Sequence, residues 1–580
     1  MADPLFTIAA TLRAAFAQVT GLPAEDIDPV VRLSDRADAQ ANGALALAQR
    51  LGKNPREVAT AVVDTGLLAD ACSTVEVAGP GFINLTFKPQ FLASLLAAAA
   101  ADDHLGVRSA AQKRTVVIDY SHPNVAKEMH VGHLRTTMIG DSLVRLLRFV
   151  GHRTILENHI GDWGRQFGML IEHLLDVGET EAVHELSVSD LNSFYREASS
   201  KFEASEDFKG RARQRVVELQ SGDAETLRLW RLLVDESMRH FNGVYERLGV
   251  LLSNDDLMGE SAYNDMLPTV IDRLLDQRLL VEDQGAEVVF PDGDFLNREG
   301  EPLPLIVRNS VGGFGYAATD LACIIDRVER LRADLLLYVV GAPQAQHLQM
   351  VFAVARMAGW LAPPVEAVHV PFGNVLGDDR KMFKSRSGET VKVSDLLDEA
   401  VERATAAVRD RNSEMSPVEQ AEVGRMVGIG AVKYADLSTD RIKDYVFDWD
   451  RMLSFDGNTS PYLQYAHARI CSIFRRADID RAVLRSVVPS LAEPQEKALA
   501  LALLQFDSTV HDTLDKFSPH RLCTYLFEVA QTFTAFYEAC PVLKDGYEAT
   551  RESRLALCDA TARTLQQGLA LLGIEAPERM

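Results

Sequence analysis

The sequence predicts a multidomain α/β protein, and three observations carry that reading. Val116, Val117 and Ile118 form a short β-branched run of the kind that favours a buried strand. A polar turn follows. Ile139, Leu143, Leu146, Leu147 and Val150 then recur at helical spacing, with Gly151 placed to stop the helix. Next, Thr154–Glu157 supplies a second strand, and strand–helix–strand is the right-handed crossover unit of a Rossmann-type parallel sheet. Lastly, residues 456–580 carry amphipathic helical periodicity almost throughout, as in an all-α bundle.

In chain order, residues 1–105 predict a small α/β N-terminal domain. A helical pattern covers Phe6–Phe16, and the alternating apolar positions of 73–87 are split by Gly79-Pro80-Gly81, as in a hairpin. Asp102–Gly106 makes a linker. Residues 106–455 form the central α/β core, interrupted by a charged, mostly helical insertion at about 178–300. Its helical signal is strongest over 186–250, around Leu227, Trp230, Leu233 and Met238. A second α/β block runs from Leu305 to Pro371, with a buried strand at Leu335–Val340, a helix at Leu348–Met357 and a further strand at Val365–Val370. Helix dominates from Val393 onward, and 456–580 forms the bundle.

Composition excludes several classes. No stretch of the 580 residues approaches the apolar length of a membrane span, and the N-terminus reads as an amphipathic helix rather than a leader. The six cysteines form no CxxC pair, so reduced core thiols in a cytoplasmic protein are expected over disulfides or a zinc ribbon. The net charge of −23 leaves no strongly basic segment. Any nucleic-acid contact must therefore rest on local patches such as Arg475-Arg476 and on shape.

Two motifs carry chemistry. His130-Val-Gly-His133 sets two imidazoles at a helix start, where free amides and the helix dipole favour an anion. Gly132 leaves room for a flat ring or a phosphate, and Lys127 adds a cation. Alone, the motif is more often two surface histidines beside a turn. A zinc site lacks any Cys or carboxylate at ligand spacing, and no metal is expected from protein ligands. The second motif, Lys381-Met-Phe-Lys384-Ser385, concentrates cations between Gly377 and Gly388. By itself it is as readily a solvated loop as a phosphate clamp.

Together, HxGH and KMxKS resemble the signature pair of class I aminoacyl-tRNA synthetases. The run Ser121–Arg135 is similar to the arginyl-tRNA synthetase form of the first motif, as are Gly161-Asp-Trp-Gly-Arg-Gln-Phe-Gly168, Phe455–Arg469 and Pro577–Met580. The resemblance spans nearly the whole chain. It implies activation of L-arginine by ATP to arginyl-adenylate and pyrophosphate, then transfer of the arginyl group to the 3′-terminal ribose of tRNA(Arg). ATP would enter with Mg²⁺. A tRNA-contacting N-terminal domain, a helical anticodon-binding domain and a monomer are likewise implied.

By that resemblance His130, His133, Lys381 and Lys384 are catalytic, and ATP meets Lys127, His130, Gly132, His133 and Lys384. The arginine ligands are Asp119, Asn124, Glu260, Tyr316, Asp320 and Gln344. Glu260 and Asp320 are expected at the guanidinium, since bidentate acceptors match its planar fork. Asp119, Asn124 and Gln344 are expected at the α-amino and carboxylate end. Tyr537 and Met580 are the expected anticodon contacts. Two departures stand out: His122, where the family commonly has a small residue, and Phe383, in place of the usual Ser of KMSKS. The competing readings are a nucleotidylyltransferase, against which the helical C-terminal region speaks, and a non-catalytic tRNA-binding paralogue, against which the four intact signature residues speak.

Overall fold

In the computed structural model the residues described are 3–180, 182, 191–297, 299–310, 312–377, 380, 381, 383, 391–412 and 414–580. The N-terminal segment begins with α1 (Pro4–Thr20), whose Asp3 cap accepts from the Leu5 amide at 2.7 Å. Strands β1 (Val31–Ser34) and β2 (Ala37–Ala41), helices α2 (Gly43–Leu51) and α3 (Pro55–Asp64), the hairpin β3 (Cys72–Ala78) and β4 (Phe82–Phe87), and α4 (Pro89–Ala101) follow. The sheet is antiparallel, in the order β1-β2-β4-β3.

The core sheet contains β5 (Thr115–Asp119), which leads through a turn to α5 (Val131–Phe149) and β6 (Arg153–Glu157). Helices α6 (Gln166–Val177), α7 (Leu191–Ala204), α8 (Glu206–Ser221), α9 (Ala224–Leu248) and α10 (Leu267–Asp276) come next. An antiparallel sheet of β7 (Val281–Asp283), β8 (Ala286–Val289) and β9 (Leu305–Arg308) precedes α11 (Tyr316–Glu329). The core resumes with β10 (Leu335–Tyr338), α12 (Ala345–Met357) and β11 (Glu366–His369). A parallel pair, β12 (Val375–Leu376) and β13 (Tyr445–Val446), brackets α13 (Val393–Arg411) and α14 (Pro417–Leu437). The chain ends in α15 (Ser460–Ala477), α16 (Pro494–Leu503), α17 (Phe506–Asp515), α18 (His520–Ala539) and α19 (Glu548–Leu571).

The core strands are all parallel, in the order β11-β10-β5-β6. The sheet therefore grows from β5 toward β6 on one side and from β10 toward β11 on the other. Right-handed crossovers then put α5 and α12 on opposite faces, and a crevice opens at the carboxyl ends of β5 and β10, where the order reverses. Val117, Leu336 and Tyr338 pack with the buried faces of α10, α11 and α12. Against α5, the Tyr120 ring lies so close to Gly140 that no Cβ fits there.

The chain divides in space into two compact units. One joins Met1–Ser109 to Ser454–Leu571 and Glu575–Met580; the other holds Ala110–Leu453 and Leu572–Ile574. Inside the first unit the two chain ends interlock. Asp507 accepts from the Arg108 backbone at 2.9 Å and its Nε at 2.7 Å, and Lys497 pairs with Asp38 at 2.6 Å. The final segment lies along α15, its Glu575, Pro577 and Glu578 carbonyls accepting from Gln464 (2.7 Å), His467 (3.0 Å) and Arg475 (3.0 Å). All six cysteines are buried and none forms a disulfide. Among the described residues no helix is long and apolar enough to cross a membrane.

Several elements depart from the sequence expectation. The insertion contains the strands β7 and β8 as well as helices. Strands β1 and β2 carry too few β-branched residues to announce themselves. Substituting Gly140 by Ala overpacks the Tyr120 contact; we expect destabilisation of about 1–3 kcal/mol, read as a lowered urea midpoint of the catalytic unit.

Candidate active site

The turn from β5 into α5 is held in an unusual backbone conformation. Ser121, His122 and Ala126 all have positive φ (84°, 53° and 60°), a region costly for residues with a Cβ. A hydroxyl network holds it there. Ser121 Oγ meets Tyr245 Oη at 2.7 Å and accepts from Thr137 Oγ1 at 2.9 Å. The Ser121 amide donates to Thr136 Oγ1 (3.1 Å), and the Ala126 amide to Ser237 Oγ (2.9 Å). Asn158 accepts from the His122 amide at 3.2 Å and donates to Tyr245 Oη at 3.0 Å. Tyr245 and Ser237 both belong to α9, so the insertion directly supports the turn.

Below the turn sits a buried charge cluster. Arg327 on α11 donates through Nη2 to Asp119 Oδ2 and through Nε to Glu157 Oε2, each at 2.6 Å. His122 Nε2 meets the other Asp119 oxygen, also at 2.6 Å. Burial alone raises the Asp119 pKa, but Arg327 and His122 outweigh it and hold the carboxyl well below the usual range. Asp119, expected to face the substrate, thus already has a protein partner on each oxygen. The unexpected His122 is one of those partners.

At the start of α5 the two histidines cap the helix and each other. His130 Nδ1 accepts from the Gly132 amide (3.1 Å), and His133 Nδ1 accepts from the His130 amide (3.2 Å). With both Nδ1 atoms acting as acceptors, each neutral ring carries its proton on Nε2. The ring centroids are 3.9 Å apart. Burial, then Lys127, lowers the His130 pKa; burial, then His130, brings His133 down to about 3. The room left by Gly132 is filled by the His130 ring, whose Cε1 would stand 2.9 Å from an added Cβ. That glycine therefore makes room for the cap. A cavity of about 280 Å³ opens here, bordered by Asn124, Lys127, Glu128, His130, His133 and Lys392. Lys127 also lies over the Tyr195 ring, 4.3 Å from its centroid.

The lysine loop is anchored on both sides. On entry, Gly377 N donates to Lys381 O (2.8 Å), Phe383 N donates to Val375 O (3.1 Å), and the Phe383 ring stacks on Phe447 at 4.6 Å. On exit, His130 and Lys392 form a β-bridge, and Val393 N donates to Met129 O at 3.0 Å. The loop thus leaves directly beside the histidines. Lys384 lies outside the described residues.

The remaining predicted residues gather acids. Burial, then Asp162 and Asp320, pushes the Glu260 carboxyl up to about 7. Asp320 is bonded to His347 Nε2 at 2.6 Å, which raises that imidazole's pKa. Asp162 accepts from Ser261 N (2.9 Å) and Oγ (2.6 Å). Tyr316 and Asp320 lie on the first turns of α11, with Tyr316 77% exposed. Gln344, in the loop after β10, is exposed. Asn124 is exposed too, and its segment pairs with the glycine loop through a bridge to Gly161. Among the described residues no cluster of three His, Cys, Asp or Glu suits a metal. Sequence reasoning missed Arg327, Glu157, Tyr245 and Lys392. An arginine and an aspartate within the apolar run Leu321–Val328 were the one available signal for Arg327.

In the first unit, Phe533 and Phe536 are buried and serve packing. Tyr537 is half-buried, stacked on Phe533 at 5.9 Å with the Arg469 guanidinium 4.9 Å from its ring centroid. Met580 ends the tail that lies along α15 and is half-buried.

A switch-point crevice, neutral capping histidines and a lysine loop stitched beside them make the catalytic architecture of a class I aminoacyl-tRNA synthetase. Residues 95–449 match the family model described as tRNA synthetases class I (R), catalytic domain. Residues 7–87 match the arginyl tRNA synthetase N terminal domain, and 463–580 the DALR anticodon binding domain. The arginine–tRNA ligase of Thermobifida fusca is 55% identical over the full length of both chains, and that of Streptomyces avermitilis 49% identical over 98% of each. The crystal structure of the Plasmodium falciparum arginyl-tRNA synthetase superposes with a TM-score of 0.84 at 28% identity, and the Thermus thermophilus arginyl-tRNA synthetase with 0.82 at 26%, each covering both chains completely. The chain belongs to the arginyl-tRNA synthetase family.

The capped histidines carry a pH signature. The unfolded chain protonates a histidine near 6.5, whereas folded His133 stays neutral to about 3. Its contribution therefore lowers stability progressively as pH falls through that window. We expect the His133 Cε1–H NMR shift to stay flat from pH 7.5 to about 5.

Proposed function

We infer that this protein ligates arginine to tRNA in two steps at the switch-point crevice. In the first, a carboxylate oxygen of arginine attacks the α-phosphorus of ATP; arginyl-adenylate forms and pyrophosphate leaves. In the second, a terminal ribose hydroxyl of tRNA(Arg) attacks the activated carbonyl, and AMP leaves. The full-length 55% identity to an arginine–tRNA ligase carries this reading. The site supports it chemically.

Each step needs positioning and charge stabilisation more than covalent help from the protein. The Nε2–H groups of His130 and His133 are donors for phosphate oxygens. Their neutrality means that ATP binding does not depend on protonating them at ordinary pH. Lys127, Lys381 and Lys384 are assigned to the triphosphate, supported by the anchoring of the lysine loop beside His130. Gly132 permits the helix cap. Mg²⁺ would travel on the triphosphate oxygens, since among the described residues the one acid bordering this cavity is Glu128.

For arginine, Glu260 and Asp320 are assigned to the guanidinium, supported by the burial and then the neighbouring acids that keep the Glu260 carboxyl near 7 until a cation arrives. Asn124, Gln344 and Tyr316 are assigned around the substrate, and Asp119 to its α-amino group. His122 and Arg327 fix the Asp119 carboxylate for that task. Tyr537, with Arg469 against its ring, suits stacking of an anticodon base, and Met580 is assigned beside it. The domain scheme of 1–105, 106–455 and 456–580 remains our proposal. So does a monomer acting in the cytoplasm, the compartment being supported by six buried thiols that form no disulfide.

Two measurements test this reading. Arginine, in the presence of tRNA(Arg), should support pyrophosphate exchange into ATP, and Asp320→Ala should raise the arginine KM roughly 10- to 100-fold with the ATP KM little changed. Exchange with another amino acid and none with arginine would overturn the assignment. The second test is arginine affinity against pH. Because guanidinium binding favours the Glu260 carboxylate, which protonates near 7 in the free site, affinity should weaken below that pH by up to about tenfold per unit. Glu260→Gln should flatten this profile.

A further inference from the structure

One buried ion pair in the catalytic unit has no place in the chemistry described above. Arg135 on α5, 1% exposed, and Asp436 on α14, 3% exposed, are paired at 2.7 Å through Nε and Oδ1. A fully buried pair of this kind contributes little net stability over apolar residues of similar volume. Its geometry points elsewhere. The other arm of the guanidinium, Nη1, donates to Lys443 O at 3.2 Å and reaches Asn374 O at 3.5 Å. These carbonyls belong to the segments that enter β13 and β12. The two segments are joined further by Asn374 N donating to Asp444 Oδ1 at 2.7 Å, and by Tyr445 N donating to Asn374 O at 2.9 Å. Gly373 packs against Lys443 O, with no room for a Cβ. From Asn374, β12 leads into Gly377, whose amide donates to Lys381 O at 2.8 Å. Arg135 itself stands two residues after His133, on the same rigid helix.

We propose that Arg135 and Asp436 are a positioning pair that fixes the base of the lysine loop against the histidine-bearing helix, so that the two halves of the ATP site keep one register. This deepens the functional reading above and rests on it. Nη1 of Arg135 reads two strand-end carbonyls, and Asp436 balances the guanidinium's buried charge beside them. A lysine in its place carries the charge but cannot hold the β12·β13 pair and Asp436 together. The pair touches no reacting atom.

Because Arg135→Met alone leaves Asp436 buried without a partner, the decisive variant is Arg135→Met/Asp436→Leu, which fills the site with apolar groups. Arg135→Lys is measured beside it. We expect the double variant to keep its circular dichroism and to melt close to the wild type. Its kcat for arginine-dependent pyrophosphate exchange should fall on the order of 10²-fold, as for a small misplacement of catalytic groups. Its arginine KM should stay within about twofold. Hydrogen exchange at the Gly377 and Phe383 amides should accelerate, reporting the loop base directly. Arg135→Lys should show the same pattern to a smaller degree. Wild-type kcat with unchanged protection of those amides would overturn the proposal, as would an arginine KM that rises in step with the loss of kcat. If the wild type shows no exchange with arginine at all, the functional reading falls, and the amide protection still decides whether the pair holds the loop base.

Discussion

Arg327 is the charge on which the floor of the active site depends. It is completely buried, and its guanidinium touches the ends of three adjacent strands: Asp119 of β5, Glu157 of β6 and the ring face of Tyr338 on β10, 4.9 Å away. A cation removed from water is tolerable only with such partners, and each partner carboxylate is in turn tolerable only with the cation. The three strand ends therefore stand or fall together. The turn at Ser121–Ala126 starts from this fixed point, and its strained backbone is held by hydroxyls from α5 and α9. The helical insertion, remote in sequence from β5, is in this way part of the same construction.

The histidine pair shows how a helix start can prepare a site before any ligand arrives. In most N-caps an oxygen side chain accepts the free amides. Here imidazole nitrogens do so, and the arrangement selects one tautomer for both rings. The result is a pair of donors with no net charge, next to lysines that supply the charge. Separating the two roles leaves hydrogen-bond geometry insensitive to pH while the electrostatic attraction for phosphate remains. Elsewhere in the catalytic unit, burial and then the charges of Asp162 and Asp320 raise the proton affinity of Glu260, a complementary preparation for a cation.

Much of this was legible in the sequence, for a physical reason. The central strands β5 and β10 are buried along nearly their whole length, so they read as apolar runs, and the helices beside them carry clean 3.6-residue stripes. The two signature motifs are local and therefore visible. What stayed hidden depends on long-range pairing. Tyr245 reads as one more apolar position on α9 until the fold brings it to Ser121. Lys392 is an unremarkable cation until its backbone pairs with His130. The role of Gly132 was legible only in part, since its lack of a side chain was evident but the ring that uses the space was not. Strands β1 and β2 were missed because they hold a single β-branched residue, Val31, between them. The interlocking of residues 1–109 with the C-terminal helices is also invisible locally, since it rests on pairs such as Lys497 with Asp38.

The last residues of the chain illustrate a different economy of constraint. They are held to α15 through main-chain carbonyls at 575, 577 and 578, and a carbonyl is the same on every amino acid. Mutational drift at Glu575 or Glu578 leaves all three acceptors in place. The burden of maintaining the tail's path falls instead on the donors Gln464, His467 and Arg475, each of which presents its hydrogen only from the side chain it has. A segment held this way can vary in composition between lineages while its course in space stays fixed, and the record of selection would be written in the helix beneath it.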